Sequence, residues 1–339
     1  MTGAGAVRLT DAYDVALLDL DGVVYLGAHS LPGVAIAVTG LGNLRLSYVT
    51  NNATRTPAEV WRQLAAMGLP GSAADVVTSC QAAAELLLGL VAPGSAVLVV
   101  GAPALFDAVA AAGLSCVKTL AEAPVAVVQG LSLALTYAEL TEAALAIRTG
   151  LPWVATNTDA TLPTARGLQP GNGSFVSALT TATGRTPVAA GKPQPALFET
   201  AVRATGALRP LVVGDRLDTD IAGAHNARLD SLLVLTGVST AADVLATAPS
   251  LRPTFVSGDV GGLVDEHPAV RGEGLDWECR GWRAAGSSTG LTLDGDGDST
   301  DALRALMAVP LVAAHVQSGG PAATRALQAL GISSSGDTV

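Results

Sequence analysis

Four short polar clusters in this 339-residue chain combine residue types that can do chemistry, and each follows a short apolar run. The first is Asp19-Leu20-Asp21-Gly22, directly after Val15–Leu18. Two carboxylates two residues apart at a strand end can face one pocket if the strand stops between them. Gly22 lets the backbone turn tightly and offer N–H groups to an anion. An Asx turn is the plainer reading of the same residues. The second cluster is Thr50-Asn51-Asn52, after the run 46–49. Here the Thr50 hydroxyl and the N–H groups of Asn51 and Asn52 are suited to phosphate oxygens, although a polar loop leading to a helix cap would look the same. The third is Gly191-Lys192-Pro193, after 188–190, in a chain whose only other lysine is Lys118. A solvated surface lysine is the ordinary alternative, and the Gly-x-x-x-x-Gly-Lys-[Ser/Thr] spacing of a nucleotide P-loop is absent. The fourth is Gly214-Asp215-Arg216-Leu217-Asp218-Thr219-Asp220, after 211–213. Asp215 and Asp220 suit an oxygen site for a hard cation. Acidic residues also complement a helix N-terminus, which accounts for Asp218 better than for Asp215.

Chemistry at such positions needs elements that present them. Strand-like runs at 15–18, 46–49, 96–100, 125–128, 153–156, 188–190, 211–213 and 231–235 alternate with helical patterns, which predicts parallel sheets with crossover helices. Open sheets of that kind bind ligands at their strand C-termini. Thr56-Pro57-Ala58-Glu59 reads as a capping box with proline at the first helical position, and Gly68 closes that helix. Thr136 and Glu139 open another helix, closed by Gly150. Boundaries fall near 79–84 and 183–186. The stretch between them reads as an inserted domain, because motifs that must meet lie on both sides of it. A third boundary follows Gly261-Gly262. Beyond it, 277–284 and 289–293 read as strands, 300–316 as a helix and 333–336 as a frayed end.

Composition narrows the classes. The chain carries 19 basic and 29 acidic side chains, a net charge of −10, with 14% charged residues against the usual ~25%. Hydrophobic residues make up 49%, enough for a large core and against disorder. The acidic balance disfavours nucleic acid and anionic membrane surfaces. The apolar stretch 86–106 is interrupted by Pro93-Gly94-Ser95 and by Pro103, so it reads as helix, turn and strand rather than a membrane span. Cys80, Cys116 and Cys279 form no CxxC pair and predict a reducing cytoplasm without a zinc site. Screening over ~10 Å at physiological salt keeps the remote charges from excluding a small anionic substrate.

In this order, Asp-x-Asp, Thr, Lys and Gly-Asp-x-x-x-x-Asp resemble the haloacid dehalogenase (HAD) superfamily over about residues 13–262. Thr-Asn-Asn and Gly-Lys-Pro are similar to its phosphatase branch. The long insertion is similar to a C2-type cap of the NagD-like group, which includes p-nitrophenyl, phosphoglycolate and glycerol-3-phosphate phosphatases. The resemblance implies an α/β fold: a doubly wound parallel-sheet core (1–82 and 186–264), an inserted α/β cap (83–185) and a small C-terminal α+β extension (265–339). It implies Mg²⁺-dependent hydrolysis of a small phosphomonoester. Asp19 would be the nucleophile and Asp21 the general acid and base. Gly22, Thr50, Asn51, Asn52 and Lys192 would bind phosphate. Asp19, the Asp21 carbonyl and Asp215 would hold the metal, with Asp220 supporting Lys192 or a metal-bound water. A cap loop with Asn157, Asp159, Thr161 and Leu162 would select the substrate. The small, uncharged Thr161 and Leu162 favour glycerol 3-phosphate over 2-phosphoglycolate or a nucleoside monophosphate, unless Arg166 reaches inward. A phosphotransferase or mutase, and a silent HAD-fold binding or regulatory protein, are the competing readings. The partner is a small phosphorylated metabolite, and the resemblance would allow a homodimer through the cap.

Three features stand outside the motifs. Arg228 stands where the family usually has a helix-capping glycine, and arginine can interact with the terminal carbonyls instead; His225 reads as a helix-face residue. Asp294-Gly295-Asp296-Gly297-Asp298 begins like a calcium loop, but Ser299 and Ala305 occupy the places of the required Gly and Glu. It reads as a charged turn in which Ser299 or Thr300 caps the next helix. The tail beyond 265 faintly resembles part of an acetyltransferase fold, too short for a second activity, and suggests packing, assembly or regulation.

Overall fold

The computed structural model describes residues 6–333 except Ala28, Ala165 and Thr289. The chain forms two compact units, Met1–Arg45 with Ala207–Val339, and Leu46–Gly206.

In the first unit, Phe255–Ser257, Asp230–Val234, Pro210–Gly214 and Val15–Leu18 lie side by side and all parallel, with Leu211 opposite Ala16 and Leu233 opposite Val256. Every residue of Val15–Leu18 is buried. Strands covered on both faces read as unbroken apolar runs, which is why 15–18 was legible to the residue and 211–213 and 231–235 to within one, whereas the short edge strand Phe255–Ser257 was not read. The strand Pro210–Gly214 runs into a wide helical turn, Leu217–Ile221, and then the helix Ala222–Ala227. Arg228 ends that helix with φ 59°, so the arginine itself takes the left-handed conformation that favours glycine. His225 sits on the helix face as expected, its Nε2 3.1 Å from the Arg252 carbonyl.

The tail of this unit departs from the expected pattern. Val270–Glu273, Asp276–Cys279, Trp282–Ser287 and Gly290–Gly295 form an antiparallel sheet, and Val316–Ser318 adds to it in parallel. The single strand read at 277–284 is two strands, broken at Arg280-Gly281, where Arg280 has φ 48°. The helix read at 300–316 stops at Ala308, because Pro310 has no N–H to continue it. Its cap is Asp298, whose side chain accepts from the Thr300 N–H at 2.8 Å, rather than Ser299 or Thr300. A further helix, Pro321–Ala329, follows. Thr289 and residues 334–336 of the expected frayed end lie outside the described residues. The junction after Gly262 is packed: Trp282, Leu303 and Leu306 share one core with Ala241, Leu245 and Val256. The guanidinium of Arg252, 5% exposed, donates to the carbonyls of Val244, Leu245 and Thr247, and also to those of Met307, Val309 and Leu311 in the tail.

In the second unit a parallel five-stranded sheet runs Val188–Ala189, Trp153–Ala155, Ala126–Gln129, Ala96–Val100, Ser115–Val117. Its core includes Leu98, Val127, Ile147, Trp153 and Leu179. The two expected capping boxes are present. Thr56 and Glu59 open Pro57–Ala66, with Gly68 at φ 79° just beyond it. Thr136 and Glu139 open Tyr137–Arg148, with Gly150 at φ 99°. Residues 48–50 of the strand Arg45–Thr50 pair in parallel with Val76–Thr78. Among the described residues no helix is long and apolar enough to cross a membrane, and the three cysteines are free thiols.

Candidate functional site

In the first unit the motif at residue 19 leaves the sheet with its pairing intact: the Asp19 N–H donates to the Val213 carbonyl at 2.8 Å, one residue beyond Leu18. The chain then folds over the Leu20 carbonyl, which accepts from Val24 at 2.9 Å and Tyr25 at 3.2 Å. Gly22 makes this turn at φ 85°, and a Cβ there would lie 2.5 Å from Asp215 Oδ2. Gly237 is closer still: its Cβ would lie 1.9 Å from the same oxygen. Asp215 is 1% exposed; its Oδ2 accepts from the Val238 N–H at 2.7 Å, and its carbonyl from Ser239 at 3.0 Å. Asp220, also 1% exposed, accepts at Oδ2 from the Arg216 N–H at 3.2 Å. A Cβ on Gly214 would lie 2.2 Å from Asp220 Cβ.

The result is one acidic cluster in which carboxylate oxygens of Asp19, Asp215 and Asp220 all lie within 4.8 Å of one another. Three carboxylates so close, two of them buried, repel strongly unless a cation sits among them. Glycines at 22 and 237 leave the space against Asp215 that a side chain would fill. The oxygen donors and the close approach both fit Mg²⁺. Asp218 lies apart, more than half exposed and paired with Arg216 at 2.7 Å, and hydrogen bonding from Arg216 holds its carboxyl below the usual range. Asp21 is exposed, and its carboxylate is not among the three. The loop Thr236-Gly237-Val238-Ser239, which the sequence reading passed over, walls this cluster. Thr236 Oγ1 donates to the Gly22 carbonyl at 2.6 Å, and Ser239 Oγ accepts from the Leu217 N–H at 2.9 Å.

In the second unit the other motif residues gather around Asn51. Thr50, 5% exposed, accepts at Oγ1 from the Asn52 N–H at 3.1 Å, so the Asn52 N–H, one of the expected phosphate donors, is engaged within its own loop. Asn51 Oδ1 accepts from the Lys192 N–H at 2.8 Å, and Asn51 Nδ2 donates to the Lys192 carbonyl at 3.1 Å and to Asp159 Oδ2 at 3.2 Å. Its own carbonyl accepts from Asn157 Nδ2 at 2.8 Å and Ser79 Oγ at 2.7 Å. Lys192 is 4% exposed, with Nζ 6.0 Å from the ring centre of Phe198. A lysine so buried is not the solvated surface residue of the ordinary reading. Asn172 Nδ2 holds the Asn157 carbonyl at 2.7 Å, a contact no sequence signal announced. Thr161 and Leu162 begin a two-stranded hairpin, Thr161–Thr164 with Gly167–Pro170, in which Thr161 and Arg166 are exposed.

Comparison with known proteins decides the family. A haloacid dehalogenase-like hydrolase profile matches residues 16–115 and a HAD-hydrolase-like profile matches 189–263. A D-glycerol 3-phosphate phosphatase of Mycobacterium tuberculosis is 50% identical over 255 residues, 75% of this chain and 72% of that protein. The chain belongs to the haloacid dehalogenase-like hydrolases. Between them the two HAD matches take in Asp19, Thr50, Lys192 and Asp215. Among solved HAD structures, a glycerol phosphate phosphatase of M. tuberculosis in complex with calcium superposes with TM-score 0.89 and 41% identity, covering 97% of this chain and 100% of that one. A second structure of that enzyme holds magnesium. A 4-nitrophenylphosphatase of Thermotoga maritima gives TM-score 0.69 and 32% identity, covering 76% of this chain and 98% of that one. The likeness to the mycobacterial HAD phosphatase therefore includes the C-terminal sheet and helices, beyond the reach of the motifs.

Proposed function

We propose that this HAD hydrolase is a Mg²⁺-dependent phosphatase of small phosphomonoesters, with glycerol 3-phosphate as its substrate. The observation that carries the reading is the carboxylate cluster of Asp19, Asp215 and Asp220. Asp19 attacks phosphorus, and the bond to the leaving oxygen breaks as Asp21 gives that oxygen a proton. The product alcohol leaves and an aspartyl-phosphate remains. Asp21, now ionised, takes a proton from water, which attacks phosphorus and frees Asp19 and inorganic phosphate. Asp19, the Asp21 carbonyl and Asp215 would hold Mg²⁺, with Asp220 beside them, and a bound ion would supply the positive charge that offsets repulsion between the carboxylate and the phosphate dianion. Lys192 balances charge on the phosphoryl oxygens and the Thr50 hydroxyl donates to them, with the backbone N–H of Asn51 as a further donor; the Gly22 N–H, expected to join them, instead donates to the Tyr25 carbonyl at 2.9 Å.

Substrate choice falls to the loop of Asn157, Asp159, Thr161 and Leu162, since the core motifs address only phosphate and metal. Small uncharged side chains at Thr161 and Leu162 suit the short polyol end of glycerol 3-phosphate. The matching of 97% of the chain to a glycerol phosphate phosphatase, tail included, supports the same choice. We further propose the division into core (1–82 and 186–264), cap (83–185) and extension (265–339), work in the cytoplasm, and a homodimer through the cap. The test is phosphate release from glycerol 3-phosphate, 2-phosphoglycolate and nucleoside monophosphates, with Mg²⁺ and with chelator. Glycerol 3-phosphate should give the highest kcat/KM, and chelator should abolish it. Asp19→Asn should lose about a thousandfold or more in kcat with its melting temperature kept. Turnover retained by that variant would remove Asp19 from its role.

A further inference from the structure

We propose that Asn51 is a positioning residue that couples the substrate-selecting loop to Lys192. The proposal rests on the phosphatase reading above and assigns to the Asn51 side chain a task different from holding phosphate. Its amide is used up by protein. Oδ1 and Nδ2 meet the N–H and the carbonyl of Lys192 at 2.8 and 3.1 Å, the two-point pairing that a neighbouring strand would make. That contact fixes the backbone from which the buried Lys192 side chain starts. The remaining hydrogen of Nδ2 goes to Asp159, 3.2 Å from Oδ2 and 3.4 Å from Oδ1.

The rest of the neighbourhood keeps this arrangement in one place. Asn157 donates to the Asn51 carbonyl, and its own Oδ1 accepts from the Asp159 N–H at 3.2 Å, so the loop that carries Asp159 is tied to Asn51 twice. Gly191 completes the fit. A Cβ at that position would lie 2.6 Å from Asn51 Oδ1 and 2.7 Å from the Thr156 carbonyl, so only glycine lets the Lys192 segment approach. A bond to an ionised carboxylate is about twice as strong as a neutral one. A substrate whose hydroxyls draw on Asp159 therefore changes how firmly Asn51 grips the Lys192 backbone, and a substrate with no donor to give Asp159 does not.

This makes Asn51 a specificity device acting through Lys192, and it separates two outcomes. A residue that only braced Lys192 would lower activity equally on every phosphomonoester. Coupling lowers it more on the substrate that the loop reads. The experiment compares kcat/KM for glycerol 3-phosphate with that for p-nitrophenyl phosphate, in Mg²⁺, for the wild type, Asn51→Ala, Asp159→Ala and the double variant. The ratio should fall about tenfold in each single variant, and the double variant should fall no further. Asp159→Ala guards against loss of fold, since it leaves both bonds of Asn51 to the Lys192 backbone in place and removes only the acceptor of the third. It should melt like the wild type and lose the ratio. Equal losses on both substrates, or multiplicative losses in the double variant, would overturn the coupling while leaving the phosphatase reading intact. A wild type that released phosphate from neither substrate would sink that reading, and the role of Asn51 with it.

Discussion

Neutralising one member of the acidic cluster should stabilise the metal-free protein and abolish its response to Mg²⁺. The variant is Asp215→Asn, which preserves shape beside Gly22 and Gly237 and keeps an oxygen to accept from the Val238 N–H. The separations within the cluster are at most 4.8 Å, and two unit charges that far apart repel by about 3.5 kcal/mol at an effective dielectric of about 20. The substitution removes two of the three pairs among Asp19, Asp215 and Asp220, about 7 kcal/mol before neighbouring groups are counted. N–H groups from Val238 and Arg216 and the half-open side of Asp19 absorb much of it. A net gain of about 1–3 kcal/mol in chelator is therefore expected. Mg²⁺ acts the other way. An ion bound only by the folded state adds about 2.7 kcal/mol at a hundred times its dissociation constant, and a site short of one carboxylate gives that up. Urea midpoints should therefore change order: the variant above the wild type in chelator, the wild type level with it or above in saturating Mg²⁺. A variant that is less stable in chelator and gains as much from Mg²⁺ as the wild type would refute both the charge argument and the placing of the ion.

Two further perturbations test the packing around the site. Arg228→Gly should raise stability by about 0.5–1 kcal/mol, because the exposed Arg228 side chain holds φ 59° where glycine is unstrained; urea unfolding reads it. His267 is 3% exposed and pushed below its ordinary value chiefly by burial, with Nε2 2.7 Å from the Gly262 carbonyl. The folded state thus holds the imidazole neutral, and the stability this contributes is present above the unfolded value of about 6.5 and lost as pH falls below it. His267→Gln should flatten the decline in stability between pH 6.5 and 5; an unchanged slope would place the titration elsewhere.

Strands covered on both faces were the legible ones, two of them carrying motifs, while Val188–Ala189 before Lys192 is partly exposed. Val15–Leu18 and residues 211–213 of Pro210–Gly214 are unbroken apolar runs, and burial leaves no reason for any other pattern. The capping boxes at Thr56 and Thr136 were legible because the chemistry of a helix start lies within four residues. Contacts of long sequence separation were not. Nothing in the residues from Asn51 to Lys192 announces that an amide will pair with a backbone 141 positions away. The order Asp-x-Asp, Thr, Lys, Asp named the chemistry, while Asn51, Gly191 and Gly237 matter through close approaches that residue type alone does not encode. The tail misled for a local reason. Arg280 takes a left-handed turn that few arginines adopt, so one apparent strand became two.

The same tail shows why a family boundary is not a folding boundary. The 4-nitrophenylphosphatase of T. maritima matches 76% of this chain, and the motifs end well before residue 265. Removing 265–339 would nevertheless strip Trp282, Leu303 and Leu306 from Ala241, Leu245 and Val256, which are 2%, 1% and 0% exposed. Baring Leu245 and Val256 alone costs about 3–6 kcal/mol. Arg252 would also lose its acceptors at Met307, Val309 and Leu311, leaving a buried guanidinium half served. Against a total of about 5–15 kcal/mol for a typical protein, that is enough to unfold the unit that carries Asp19 and Asp215. A chain ended at 264 should therefore aggregate or melt well below the full protein, and lose phosphate release with its fold, although every motif residue is present. A truncated chain that stays monomeric, melts within a few degrees of the full protein and hydrolyses phosphate as well would show that the shared core contributes far less than its burial implies.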